Sequence, residues 1–555
     1  MSSRASSPPF RVVEVDQPNS LALPSTDHIL NFTVTSELEP NSIILEALLD
    51  CSARHFSKGP AHPFVLNWSG GEASYSKGFE GDGSVWSVKI SLNCPMNCPP
   101  ALPSGPPPSF NGLEKSLNEQ VASCLLQSGL RKAVEVAFVM NGSVLPRKGG
   151  GSHEPMEEAV PFSSPPSLEK TLTVSLPPSL VQFLPSKPSI IASKSGDVKV
   201  TGLEVPPGVT LIVGSGYHGK STLLRALMSG CYNKVAGDGR EFVVCDGFGV
   251  RSEDGRGVSR LDLSPFVKDL PTSGGERMTG EEFSTGEASG STSMASNVME
   301  GIEMGVKTFL VDEDTSAANF MARDGRMRAL VDEESITPLL YRVNGIRNSL
   351  RISTVLVLGG NGDWLDVADT TLMMKNYNCL DVSEKARSIS RTFSHGHVQY
   401  GGRGVVHRLD WPFQKVRRIR DIEEIGDGSD ARLTEDLTRV EGVFGADAIK
   451  RGCVACVNYL LRKESLAENV VEGFLERVEK LEGVRWRDIA GDDFFASRPR
   501  REEIAAALLR RRGLRMAVDV RQVVTGETEE EKKKREREAM LQVWEKRRKT
   551  KNNNP

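Results

Sequence analysis

The chain has 555 residues, enough for about three or four domains at roughly 150 residues each. A formal charge of −4 gives it no global attraction to nucleic acid, so any basic surface has to be local. No apolar run approaches the roughly 18–20 residues of a membrane span, which excludes an integral helical membrane protein. Nine cysteines, behind an N-terminus with no apolar core of a secretory signal, read as reduced thiols and not as a disulfide framework. The expected location is intracellular: the cytoplasm, or a mitochondrion or plastid if the acid-poor, serine-rich MSSRASSPPFRVVEV is a transit peptide.

Residues 1–30 read as disordered, and 31–165 as an N-terminal α+β domain with a proline-rich insertion. The alternating runs ILNFTVTS and SVWSVKISL predict strands around one helix, Ser42–Phe56. Sixteen prolines lie between Pro95 and Pro188, so this part is loop-rich. Cys94 and Cys98 of CPMNCPPALPSGPPPS have no second pair nearby and read as loop thiols, not metal ligands. A helix is expected over Leu113–Ser128 and a strand over Val134–Met140, which ends in the turn Asn141-Gly142. KGGGSHEP then breaks the chain before a strand-rich stretch, Thr171–Leu211.

Leu211–Leu223, LIVGSGYHGKSTL, runs from an apolar strand through a glycine-rich turn into a helix, Ser221–Ser229. Gly214, Gly219, Lys220 and Ser221 fit G-x-x-x-x-G-K-[ST], a loop whose backbone N–H groups converge on phosphate oxygens. Its candidate contacts are Gly214, Ser215, Gly216, Tyr217, His218, Gly219, Lys220, Ser221 and Thr222. Lys220 would reach the β- and γ-phosphates of ATP, and the Ser221 hydroxyl would join a Mg²⁺ shell. His218, unusual in such a loop, either touches phosphate or packs; proximity to phosphate is the expectation. Gly214, Gly216 and Gly219 also read G-x-G-x-x-G with Asp238 about 20 residues on, as a dinucleotide fold would have it. Lys220-Ser221 argues against that reading.

Glu241–Cys245 reads as a buried strand, followed by a polar connector, Arg251–Arg256 and LDLSPFVKDLP. TFLVDEDTSAAN is the second strong motif: a strand, Thr308–Val311, whose tip carries Asp312 and Glu313. Asp312 would hold Mg²⁺ with Ser221, and Glu313 would orient or deprotonate the attacking water.

From about Ala137 to Ala386 the chain resembles the family called predicted ATPases of the ABC class. The resembling segments include AFVMNGSVLPR, GVTLIVGSGYHGKSTLLRAL, SEDGR, FSTGEASGSTS, LVDEDTSAANFMARDGRM and LGGNGDWLDVADTTLMM, with PRREEIAAAL (Pro499–Leu508) further on. The resemblance implies an α/β fold: an ABC-type P-loop NTPase core, 166–400, between the N-terminal α+β domain and a small α-rich C-terminal domain, 401–525. A charged tail, 526–555, follows.

Such ATPases carry a signature turn that caps one helix leading straight to the acid-pair strand. PTSGGE is closer in letters to L-S-G-G-Q, but Ser273 lies 39 residues before Asp312, whereas Ser289 lies 23 before it. Ser289, Gly290 and Ser291, with Thr292, are therefore the signature, and PTSGGE an inserted loop. DTSAAN departs from the usual P-T-S-A-L-D at Asp314 and Asn319. Where most ABC domains place a phosphate-contacting histidine, this chain reads Gly359–Asp363, GGNGD; Asn361 could bond phosphate or water, or the segment is simply a glycine turn. Glu253 and Asp254 stand in for the usual glutamine.

Past Ala386 a basic cluster, Lys415–Arg420, precedes a C-x-x-C of Cys453 and Cys456. With His395 and His397 these could complete a zinc site; buried thiols are the alternative. Helices are expected over Leu466–Leu481 and Arg501–Arg512, among Arg498, Arg500, Arg501, Arg510, Arg511, Arg512 and Arg515. That cluster makes RNA or single-stranded nucleic acid the expected partner. The functional expectation is an ATP hydrolase that uses ATP and Mg²⁺ and couples homodimerisation to work on RNA or a protein complex. A nucleotide-gated scaffold with slow hydrolysis is the alternative.

Overall fold

The computed structural model describes residues 110–392 apart from short gaps (150–154, 235–236, 269, 272–276, 279, 324–326, 328–329 and 332–333). It also describes strand segments between 20 and 93, and residues 419–425, 447–463, 474–481, 489, 499–511 and 514–519. Cys94, Cys98, His395, His397, most of the Lys415–Arg420 cluster and the 526–555 tail lie outside the described residues.

The central sheet has six strands in the order Phe248–Val250, Thr308–Asp312, Ser353–Val357, Val209–Val213, Thr370–Lys375, Asn378–Asp381. The first five run parallel and the last returns antiparallel. Near-continuous apolar runs such as VTLIV and STVLV belong in such strands because both faces are covered. Alternate residues divide between the faces. Ile212, Leu310, Val355 and Leu372 pack with Leu223, Leu224 and Leu227 of the helix Lys220–Met228. Leu211, Phe309, Val311 and Leu356 pack with Met294, Val298 and Ile302 of the helix Gly290–Met304. The mixed α/β fold is thus a doubly covered sheet with the phosphate-loop helix on one side and the signature helix on the other.

A second, antiparallel sheet orders Val243–Cys245, Ala137–Met140, Asp197–Val205 and Glu169–Ser175, with Ile190–Ala192 beside Asp197–Val205. Asp197–Val205 turns at residues 206–208 and becomes the phosphate-loop strand, so the two sheets share one continuous lead-in. Phe110–Ala133 is a longer helix than the expected Leu113–Ser128. Its Gln127 is hydrogen-bonded to the backbone of Lys234, just after the phosphate-loop helix.

Several expectations need correction. Ser42–Cys51 is a strand, not a helix, and sits between His28–Thr35 and Val85–Asn93. SIILEALLDC puts apolar residues at both helical and alternating spacings, so the local pattern does not decide. Two neighbouring strands that pair its backbone along its whole length do. Ser20–Ala22, within the stretch read as disordered, also pairs into this sheet. The connector after Arg251 is less polar than its letters suggest: Leu261, Leu263, Phe266 and Val267 are buried.

The C-terminal region is not purely α. Its helices Asp447–Lys463, Phe474–Lys480 and Arg501–Leu509 accompany an antiparallel pair, Ile419–Ile425 with Leu514–Asp519. Cys453, Cys456, Val457, Leu460, Ile504, Leu508 and Met516 belong to the same buried cluster as Met294 and Val298. Apolar side chains on the outer face of the helix Gly290–Met304 thus need this region to cover them, and the C-terminal segment completes the core on that side of the sheet.

Candidate nucleotide site

Parallel strands place all their C-terminal ends on one edge of a sheet, which is where ligands bind in open α/β folds. Three adjacent strands here end in the expected functional groups. Val209–Val213 opens into the phosphate loop, Ser353–Val357 into Gly359 and Gly360, and Thr308–Asp312 into Glu313.

The phosphate loop curls as its glycines allow. Gly214 (φ +139°) and Gly219 (φ +96°) hold left-handed conformations that L side chains rarely adopt. Gly219 caps the helix that begins at Lys220. Tyr217 also has positive φ (63°) and its side chain is fully exposed. The Lys220 Nζ donates to the carbonyls of Gly214 (2.8 Å) and Ser215 (3.0 Å), folded back across the loop. Ser215, Gly216 and Tyr217 are exposed, and Thr222 is half-buried in the first turn of the helix.

His218 is engaged elsewhere than expected. Its Nδ1 accepts the Asn376 N–H (2.9 Å), and its carbonyl accepts the Tyr377 N–H (3.2 Å). The imidazole thus pins the loop to the hairpin turn between Thr370–Lys375 and Asn378–Asp381. Asp238, the acid of the dinucleotide reading, accepts from Arg240 (2.8 and 2.9 Å) and faces Arg147. It is occupied as an internal ion-pair partner.

The Ser221 hydroxyl lies near enough to Asp312 to favour its charged form, so the two candidate Mg²⁺ ligands are neighbours. Burial raises its carboxyl above the usual range, partly offset by the Asp314 N–H, the Ser221 hydroxyl and Arg225. A divalent cation placed there would reverse that penalty by favouring the charged form. The donor set, one hydroxyl and one carboxylate at the helix start, suits a hard cation that keeps most of its waters.

Glu313 has a partner that the sequence reading missed. Its Oε2 accepts the N–H of Gly359, in a short hydrogen bond, and the N–H of Gly360 at 3.0 Å. The GGNGD segment therefore aims two backbone donors at the carboxylate. The Asn361 Oδ1 accepts the Asp363 N–H and caps the short turn Gly362–Asp366. Two consecutive glycines behind a strand are visible in the letters, but not where their amides point.

Ser289 is the N-cap of the helix Gly290–Met304, its hydroxyl accepting the Thr292 N–H. Ser289 is exposed while Ser291 is buried, donating to the Asn319 Oδ1. Asn319, the departure from the usual final acid, thus ties the acid-pair segment to the signature. Leu270–Pro271 pairs antiparallel with Arg277–Met278; the rest of PTSGGE, residues 272–276, lies outside the described residues.

Three arginines of the cluster face inward. Arg510 is bound to Glu253, and Arg500 to Asp246 (3.0 Å) and the Gly247 carbonyl. Arg501 is bound to Glu479 and the Met304 carbonyl. These three hold the fold together and are not a solvent-facing cationic patch. Cys453 and Cys456 are buried thiols outside any disulfide, and burial pushes the Cys453 thiol well above its ordinary value. Among the described residues no cluster of His, Cys, Asp and Glu could hold a metal ion, and no helix is long and apolar enough to cross a membrane.

A glycine-rich loop before a helix, an acid pair on a neighbouring parallel strand and a capped signature helix define a P-loop nucleoside triphosphatase. The chain belongs to the ABC_ATPase family: the sequence profile of its P-loop domain matches residues 111–407, more than half of the chain. An uncharacterized protein of Methanocaldococcus jannaschii, MJ1628, is 35% identical over 126 residues, 22% of this chain and 27% of that protein. The chain thus matches about a quarter of the length of this curated relative. Family membership supports a nucleotide-binding ATPase.

Proposed function

We propose that the chain binds ATP in the loop Gly214–Thr222 and hydrolyses it, in sites that two copies of the chain complete together. The observation that carries this reading is the anchoring of Glu313. Two amides from the strand between the phosphate loop and the acid pair hold Oε2, which leaves Oε1 for a water molecule. A carboxylate fixed by one oxygen can orient that water and take its proton as it attacks the γ-phosphate.

Lys220 would exchange its loop carbonyls for the β- and γ-phosphate oxygens, where its charge is needed. Ser221 and Asp312 would hold Mg²⁺, which neutralises charge on the phosphate oxygens during transfer. Ser289, Gly290 and Ser291 are the remaining half of the site. Their side-chain-mediated hydrogen bonds run to Thr292, to Ser293 and to Asn319, not to the chain's own phosphate loop. An exposed serine at a helix start is a donor set suited to the γ-phosphate of a second copy's ATP. Two copies head to tail would form two identical sites.

Glu313→Gln should trap that dimer. Light scattering at saturating Mg-ATP and micromolar protein is expected to give twice the monomer mass, and Ser289→Arg to abolish the doubling without loss of ATP binding. A mass that stays monomeric would rule out the paired site. The partner on which such a cycle works is a separate matter. Arg500, Arg501 and Arg510 are bound internally and lend an RNA partner no support.

A further inference from the structure

The buried polar groups behind the signature form one connected network that reaches the C-terminal segment. Arg510 donates from Nε to Glu253 Oε2 (2.9 Å) and from Nη2 to Glu253 Oε1 (2.6 Å). The same Nη2 donates to Asn297 Oδ1 (2.9 Å) on the signature helix. Asn297 Nδ2 donates in turn to Glu253 Oε1 and to the Arg251 carbonyl, both at 2.8 Å. Arg256 closes the network through Asn297 and through Glu300 (2.6 Å). The Arg510 and Glu253 side chains are 2% and 8% exposed. Burial alone would raise the Glu253 carboxyl, but the charge and hydrogen bonds of Arg510 hold it down at about 2.

From Glu253 the contacts run straight to the signature turn. Its N–H donates to Ser293 Oγ (2.8 Å), and that hydroxyl donates to the Gly290 carbonyl (2.9 Å). Two backbone bonds, from Gly255 N–H to the Ala288 carbonyl and from Ala288 N–H to the Arg256 carbonyl, dock the loop against the residue before Ser289. A side chain at Gly290 would meet Ser252 Oγ at 2.5 Å and Asp254 Oδ1 at 2.8 Å, so loop and turn are in direct contact. At the far end of the same helix, Arg501 Nη2 donates to the Met304 carbonyl (2.6 Å). One short C-terminal helix thus grips the signature helix near its middle and at its end.

We propose that Arg510 and Glu253 form a positioning pair for ATP hydrolysis: together they fix the 251–256 loop against Ala288, Gly290 and Ser293, and so set the signature turn from the C-terminal segment without touching nucleotide. The inference rests on the ATPase reading above. It makes the C-terminal segment a control element: whatever shifts Arg510 shifts the turn that must meet a second copy's γ-phosphate. The helix that follows the phosphate loop packs on the opposite face of the sheet from the pair, so ATP binding by a single chain does not depend on it.

The full chain tests this with Glu253→Gln, Arg510→Met, the double variant and Arg510→Lys. Each single variant leaves a buried charge or its polar partner uncompensated and should melt well below wild type, whereas the double removes both charges and should recover most of the loss. In the double variant ATP affinity should stay at the wild-type value while kcat falls roughly 5–150-fold, the range of coupling between distant sites. Arg510→Lys keeps the charge without the planar fork; it should fold and show a smaller fall in kcat, a graded response that keeps the test valid if the double variant does not fold.

Wild-type kcat in a folded double variant, or in Arg510→Lys, overturns the proposal. Hydrogen exchange of the amides 288–293 gives a readout independent of turnover: it should quicken in both variants, and unchanged exchange also overturns the pair. A wild type that exchanges as expected but hydrolyses no ATP would defeat the ATPase reading and leave the positioning pair standing.

Discussion

Glu313→Gln separates two roles that one side chain combines. Oε2 is held by the Gly359 and Gly360 amides, which leaves Oε1 for a water molecule. Hydrogen bonds to a charged acceptor contribute about 1.5–3 kcal/mol each, and neutral ones about 0.5–1.5. The amide oxygen of a glutamine can keep both contacts at roughly half their strength, so the loop should hold its place. What disappears is the base. A general base contributes about 10²–10⁴ in rate, or roughly 3–5 kcal/mol of barrier. The expected result is a kcat lower by that factor, ATP affinity unchanged and melting within a few degrees of wild type. Glu313→Asp makes the complementary change: it keeps the carboxylate but withdraws it by one methylene, beyond reach of both amides. Its kcat should fall between the other two. Single-turnover phosphate release, beside equilibrium binding of ATP, measures both quantities. Wild-type turnover by Glu313→Gln would refute the role of Glu313, and an Asp variant as active as wild type would refute the importance of the two amides.

Other predictions concern the flanks of the site. Burial pushes the Glu503 carboxyl, which accepts from the Tyr232 hydroxyl, up to about 8. Arg500 lies 3.6 Å away but commits its nearer contacts to Asp246 and Gly247, so burial prevails. A raised acid binds its proton more tightly in the folded state, so its contribution falls as pH rises from about 4.5 towards 8. Glu503→Gln should flatten the wild-type decline over that window by on the order of 1 kcal/mol per pH unit, as denaturant titrations at several pH values would show; identical slopes would place the carboxylate in the charged form. Cys453 and Cys456 should resist thiol reagents in the native state and react only on unfolding, whereas rapid native labelling of either would mean that this helix is not packed on the core.

The turn and helix at Gly214–Met228, the strand tip at Asp312 and the helix capped by Ser289 were legible because each is set by local chemistry. Gly214 and Gly219 are needed for the curl, Lys220-Ser221 for charge and hydroxyl, and Asp312-Glu313 for two carboxylates at a strand tip. Spacing then chose Ser289 over Ser273, because one helix must span from signature to strand. What escaped the sequence depends on where long-range partners arrive. Arginines at 500, 501 and 510 look like a cationic patch in one dimension, and only the fold shows the carboxylates and carbonyls that bind them. Ser42–Cys51 failed for the same reason, since its apolar spacing serves either period and its neighbours decide. His218 read as a phosphate contact because the loop's letters do not show the hairpin turn that meets its Nδ1.

The most direct test is phosphate release from Mg-ATP by the purified full chain, wild type beside Lys220→Ala. Lys220 supplies the charge that should face the β- and γ-phosphates, and among the described residues its side chain is held by carbonyls of its own loop, so its removal should leave the fold intact. The account predicts measurable turnover in the wild type, and neither turnover nor tight ATP binding in the variant. Equal ATP binding and equal phosphate release by the two proteins would contradict it.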